Sequence, residues 1–344
     1  MIAHTPVAAV GSWEFDRADI VLAAVAWNDW SGFETRVGEG LACESEARRR
    51  GESPSREELA GVAGRWRRAR SLVAAEDLRA WLSDRRLSSG EWTGHLRREV
   101  LRARYAQDIE SIRARAWPPI PDVAAVLGCE GLCSGYLRAS AEKLVSRASV
   151  TDQSQAASPD WSSLNLDDLG AGAVWLAEPV QEALERRWSA LARLDAGYGR
   201  FCDDSAAEQD VAAMLRDRAL DWTRLRFTAV WFPHADAAAE AALMVAEDDV
   251  AMPEIAAAAG LEAAVREDYA DKLAPALAAA LTGAVPGETV GPLALPDGHC
   301  VAVLVSKRAP SVDDRATVTR AREELITAAL ARATAGRIRW HEHL

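Results

Sequence analysis

The chain has 344 residues, of which 49% are apolar and 27% charged, with a formal charge of −12 and five cysteines at irregular spacing. That apolar fraction fills the cores of one to three domains and excludes a disordered polymer. The odd cysteine count at irregular spacing argues against a disulfide framework and fits a reducing compartment, and the acidity, with no recognised motif, argues against a nucleic-acid partner.

The first elements read from the N-terminus are short. Residues 7–10, 11–12 and 13–15 suggest strand, turn and strand. Asp16 then caps a helix, with Asp19 in capping-box position, and the helix is expected through residues 20–30. Gly32, Gly38 and Gly40 are expected to break or bend the pattern before a helix-like stretch at 41–50. Ser55 with Glu58 marks a new helix start, and Leu59, Val62, Trp66, Ala69 and Val73 follow at spacings of three and four, one buried face. Residues 76–82 repeat the idea with Leu78, Trp81 and Leu82. Ser88 with Glu91 opens a third helix carrying Trp92, Leu96, Val100 and Ala103. Amphipathic helices joined by short connections argue for a bundle. This part is basic: residues 48–115 hold 17 Arg and 10 Asp/Glu, so the rest of the chain carries the acidity. Such a region suits an acidic peptide, the acidic part of this same chain, or simply solvated helix faces.

Trp117-Pro118-Pro119-Ile120-Pro121 reads as a stiff linker. Residues 122–146 read as helix interrupted around 128–135, and 149–163 as a polar loop. Pro179 starts another helix with Val180, Leu184, Trp188, Leu191 and Leu194 on one stripe, ending near Gly197. Residues 206–220 are again helical. A strand is expected at 225–232, stopped by Pro233, and a second at 300–305 after the turn 296–298. Helix-like pieces and the phrase 285–293 lie between them. Runs apolar on both faces belong in a sheet covered by helices. Ser311 to Asp314 then cap a last helix with Val318, Ala321, Leu325 and Ala328 as its stripe and Gly336 as its end, and residues 337–340 suit a strand beside 7–10.

Two phrases in this order carry a resemblance. Gly287-Glu288-Thr289-Val290-Gly291-Pro292 and Asp297-Gly298-His299-Cys300-Val301 resemble the turn and closing hairpin of the parvulin (rotamase) domain of peptidyl-prolyl isomerases. The N-terminal 7–115 resembles the helical region of SurA-like chaperones through Ser55–Leu59 and Leu87–Trp92. The resemblance implies an α+β fold. It has a SurA-N-like helical domain at 1–116, the linker at 117–121 and a helical middle region at 122–220. A parvulin-like sheet domain follows at 221–310, and at 311–344 a C-terminal helix and short strand pack back on the N-terminal region. It also implies that the family's two active-site histidines fall at Ala229 and Cys300, so no catalytic residue is assigned.

By period-two alternation Phe227, Ala229 and Trp231 share one strand face, as do Cys300 and Ala302. In the resemblance that face is the old active-site groove, with Phe227, Trp231, Cys300 and Ala302 as peptide contacts; Phe227 and Trp231 are equally readable as core. Cys129-x3-Cys133 lacks the spacing and second pair of a zinc site, and reads as two buried thiols on one helix face. The six histidines are scattered. No nucleophile elbow, Walker loop or dinucleotide fingerprint is present. No cofactor or metal is expected, and the apolar run 20–27 is too short to span a bilayer. The reading is a cytoplasmic, peptide-binding chaperone-like protein whose partner is a peptide or unfolded segment. Its setting in the resemblance is a ribosomal peptide natural-product pathway with tailoring enzymes. Two alternatives stand beside it: an active prolyl isomerase using Cys300, and a structural or assembly subunit whose groove face is filled by its own side chains.

Overall fold

The computed structural model describes residues 6–151, 181–248, 250–341 and 344. His4, His343, Pro179, Val180 and most of the expected loop at 149–163 lie outside them. The fold is α+β. Its seven described strands, β1 (Ala8–Val10), β2 (Trp13–Phe15), β3 (Arg224–Phe232), β4 (Ala264–Tyr269), β5 (Thr289–Leu295), β6 (Gly298–Arg308) and β7 (Ile338–Trp340), form two antiparallel sheets. The chain divides into two compact units, Met1–Phe201 with Leu330–Leu344, and Cys202–Ala329.

In the first unit the sheet order is β2-β1-β7, so the C-terminal strand pairs with the N-terminal one. Helix α1 (Arg17–Ala26) is fixed by a reciprocal cap. Asp16 accepts the Asp19 N–H at 3.0 Å, and Asp19 accepts that of Asp16 at 2.9 Å. The helix stops earlier than the sequence suggests, at a turn where Asn28 has a φ of 56°. Helix α2 (Trp30–Arg50) then runs unbroken through its three glycines. The expected break is absent because two of these glycines serve close packing. A Cβ at Gly38 would lie 2.5 Å from the Trp117 ring, and one at Gly40 would lie 3.1 Å from the Arg98 stem. Tertiary contact outweighs the poor helix propensity.

Helices α3 (Arg56–Ala69), α4 (Ala75–Asp84), α5 (Ser89–Arg104) and α6 (Ile109–Ala116) follow, α3 and α5 with the expected capping boxes at Ser55–Glu58 and Ser88–Glu91. Val73, expected on the buried face, is 79% exposed because α3 ends before it. Helix α7 (Ile120–Ser134) begins inside the expected linker. Pro121 sits in its first turn, where a missing N–H costs nothing, so only residues 117–119 stay extended. The interruption expected near 128–135 is a left-handed cap at Gly135, after which α8 (Tyr136–Val150) begins. Helix α2 packs on α5, α6 and α7. Trp66, Leu96, Cys129 and Cys133 form a small core, with Trp81 and Trp92 edge-on to Trp66. The largest core of the unit joins α1, α2, α7, α8 and the long α9 (Gln181–Ser205) to the three-stranded sheet.

In the second unit the strand order is β4-β3-β6-β5. Strand β4 lies in a region the sequence suggested was helical between its apolar strands. Its burial is low, so it lacks the apolar run that marks β3 and β6. The helices of this unit are α10 (Glu208–Asp217), α11 (Ala235–Glu247), α12 (Met252–Ala258), α13 (Pro275–Gly283) and α14 (Arg315–Thr334). Helices α11 and α12 cover Val230, Phe232 and Val301 on one face, and α13 covers the other with Leu277 and Leu281. The stripe of α14 packs Val318, Ala321 and Leu325 with α10 and Trp222, and Ala328 is exposed; the expected return to the N-terminal region is made by β7, which pairs with β1.

Candidate functional site

The site follows from strand register. Ala229 is opposite Ala302, Trp231 opposite Cys300, and Phe227 opposite Leu304, all on the face shared with α13. On the far side of β6, Leu293 of β5 is also opposite Cys300. The Gly-Glu-Thr-Val-Gly-Pro phrase makes this approach possible. Gly291 has a φ of 112°, and a Cβ there would meet the Cys300 carbonyl oxygen at 2.5 Å. Only glycine fits that backbone and that gap.

The alternation that placed Phe227, Ala229, Trp231, Cys300 and Ala302 together therefore describes one real face. It does not describe an open one. Phe227, Ala229, Cys300 and Ala302 are each 0% exposed. The expected contacts Phe227, Cys300 and Ala302 are core, because Leu277 and Leu281 and the neighbouring strands fill the space above them. The C-terminal end of α13 is held at the Leu304 end of β6. There Lys307 Nζ donates to the carbonyl oxygens of Thr282 and Ala284 at 3.1 and 2.8 Å, and the Gly287 N–H donates to Leu304 at 2.7 Å. At the other end of the strands, Trp231, Leu293 and Leu295 are half-buried around Cys300.

That row is apolar with one cation at its margin. The Arg266 guanidinium of β4 lies 4.3 Å from the centre of the Trp231 ring. Burial pushes the Cys300 thiol up to about 11, and the Arg266 charge pulls weakly the other way. A protonated, buried thiol flanked by alanine supplies no proton acceptor at neutral pH. What the row can do chemically is hold apolar groups, with Arg266 available to an anion. Sequence reading missed Arg266, Leu293 and Leu295. Leu293 was recoverable from the hairpin register, whereas Arg266 needed β4, whose charged face hides it.

Two other clusters were brought together by the fold. Cys129 and Cys133 are buried with their sulfurs 3.8 Å apart, and Trp66 Nε1 donates to the Cys133 carbonyl at 2.8 Å. Among the described residues no group of three or more His, Cys, Asp or Glu is placed to hold a metal. His95, which reads as one more polar residue of its helix, is buried. Its Nδ1 lies 2.7 Å from Glu130, which also accepts from Arg98 Nε at 2.6 Å. Burial raises the Glu130 carboxyl, but the bond and charge of His95 together with Arg98 outweigh it and hold the group below the ordinary carboxylate value. This triad joins α5 to α7.

No protein-family model matches the chain, and no curated protein matches it. Among solved structures, one similar chain comes from work on two SurA-like chaperones of Campylobacter jejuni, the virulence factor PEB4 and the periplasmic protein Cj1289. The match covers 99% of this chain and 100% of that one, at 11% identity and a TM-score of 0.21. Among the described residues no helix is long and apolar enough to cross a membrane.

Proposed function

We propose that this chain is a peptide-binding, chaperone-like protein of SurA type. Its parvulin-like sheet holds peptide at the Trp231 end without isomerase chemistry. The observation behind this reading is the half-buried row Trp231, Leu293 and Leu295, set across three strands around a site where Ala229 and Cys300 stand in the family's histidine places. Lowering the amide barrier of about 20 kcal/mol needs groups that favour the twisted bond, and this face offers alanines, a protonated thiol and apolar rings. A client would lay an apolar residue, proline included, against Trp231, whose indole gives a large contact area. In this proposal Phe227, Cys300 and Ala302 form the floor, and a precursor peptide of a ribosomal natural-product pathway is the client to try first.

The complete burial of that floor also favours a second reading, a structural subunit with no peptide ligand. One preparation tests both. Prolyl isomerisation of a short Ala-Pro peptide is expected to be absent, and anisotropy of labelled apolar peptides is expected to show saturable binding that Trp231→Ala weakens. Isomerisation lost in Cys300→Ala would make the protein an enzyme instead. Absence of binding across a broad peptide set would leave the structural subunit.

A further inference from the structure

We propose that Arg266 makes this face selective for peptides that carry a carboxylate next to the apolar residue seated on Trp231. The inference rests on the peptide-binding reading above and names its client class. Arg266 stands on the edge strand β4, opposite Phe227 in register, so its side chain rises on the same sheet face as the apolar row. It is exposed, and its guanidinium lies over the Trp231 ring. Its neighbours are otherwise engaged. Glu267, on the opposite face by alternation, faces Arg224, which also pairs with Asp314. Asp268, on the Arg266 face, accepts the Tyr269 N–H at 2.9 Å. Among the described residues Arg266 has no carboxylate partner; its contact is the π face, which is worth less at an exposed site than a bidentate carboxylate pair.

The exchange that follows is simple. An incoming apolar residue needs the Trp231 ring that Arg266 now covers. A peptide carboxylate beside that residue draws the guanidinium aside and pairs with it, so seating and pairing occur together. A neutral peptide must displace the cation with nothing to receive it. Residues 202–329 hold 22 Asp/Glu and 11 Lys/Arg, so the field of the unit does not gather anions from a distance. Selection falls to the short-range contact at Arg266.

The test uses the full chain and three labelled octapeptides that differ at one position beside a Leu-Pro pair, which is Glu, Gln or Lys. Anisotropy titrations are run with the native protein, Arg266→Gln and Arg266→Lys, with far-UV circular dichroism confirming that each variant is folded. The Glu peptide is expected to bind about tenfold more tightly than the Gln peptide. That preference should vanish in Arg266→Gln and shrink in Arg266→Lys, and the Gln peptide should bind Arg266→Gln more tightly than the native protein, since the Trp231 ring is then uncovered. Equal binding of Glu and Gln peptides to the native protein, or a preference that persists in Arg266→Gln, overturns the role of Arg266 and leaves the peptide-binding reading standing. Failure of all three peptides to bind refutes this inference together with the reading it rests on.

Discussion

Loss of Glu130 should weaken the helical unit. Its carboxylate takes His95 at 2.7 Å and Arg98 at 2.6 Å, and the three side chains are between 4% and 9% exposed. Glu130→Ala leaves two buried donors facing a void. An unsatisfied buried group costs about 1–3 kcal/mol and breaking a buried pair about 3–5. Arg98 keeps a second carboxylate, Glu44, at 3.6 Å, which sets the expected loss near the lower end, about 3 kcal/mol. With a urea slope of about 2 kcal/mol/M, the unfolding midpoint should fall by about 1.5 M. Replacing the whole triad, with Glu130→Leu, Arg98→Met and His95→Phe together, should recover much of the loss, since apolar packing of similar volume removes the desolvation penalty as well. The pH dependence has a definite sign. The folded carboxyl is held below its ordinary value, so its contribution is present above that ordinary value and fades as pH falls through the lowered one. The gap between native protein and Glu130→Gln should therefore close in acid. A Glu130→Ala cost under about 1 kcal/mol, or a gap that widens in acid, would refute the reasoning.

Asp19 should behave in the opposite way. Burial, then the neighbouring Asp16 charge, raise its carboxyl to about 6 against the pull of Arg187, which reaches it at 2.6 Å. A raised acid stabilises the fold below its unfolded value and loses that contribution as pH rises through about 6, so Asp19→Asn should gain relative to the native protein between pH 4 and pH 7 in paired unfolding curves. Phe227→Ala is expected to cost about 3–5 kcal/mol in denaturant, as for a filled core site, with Trp231→Ala costing less; an inexpensive Phe227→Ala would mean that the floor is open. In native thiol labelling, half-exposed Cys202 should react first. Cys43 and Cys300, each pushed to about 11 by burial, and the buried pair Cys129 and Cys133 should react only on unfolding. Rapid labelling of Cys300 would contradict the closed face.

Much of the fold was legible because it is local. Capping boxes at Asp16, Ser55 and Ser88 fix helix starts within four residues, and period-two alternation put Phe227, Ala229 and Trp231 on one side of β3. Gly291 was noted only as part of its phrase; its close approach to the Cys300 carbonyl needed the strand register. Errors arose wherever a distant partner settled a local ambiguity. Glycine propensity predicted a break in α2, and the Trp117 ring and the Arg98 stem, from 79 and 58 residues away, turned the same glycines into contact points. Val73 continued a helical spacing that the chain had already left.

The sequence by itself determined the capped helix starts at Asp16, Ser55 and Ser88, the two central strands and the strand face, since each depends on residue type and short spacing. Tertiary structure alone decided that this face is closed at Phe227, Cys300 and Ala302 and half-open at Trp231. It also decided that Arg266 sits above that ring, and that His95 and Arg98 share Glu130. Those facts depend on how strands of different sequence position come into register and on which helix covers which end, and burial is a property of the assembled layers rather than of any stretch of chain.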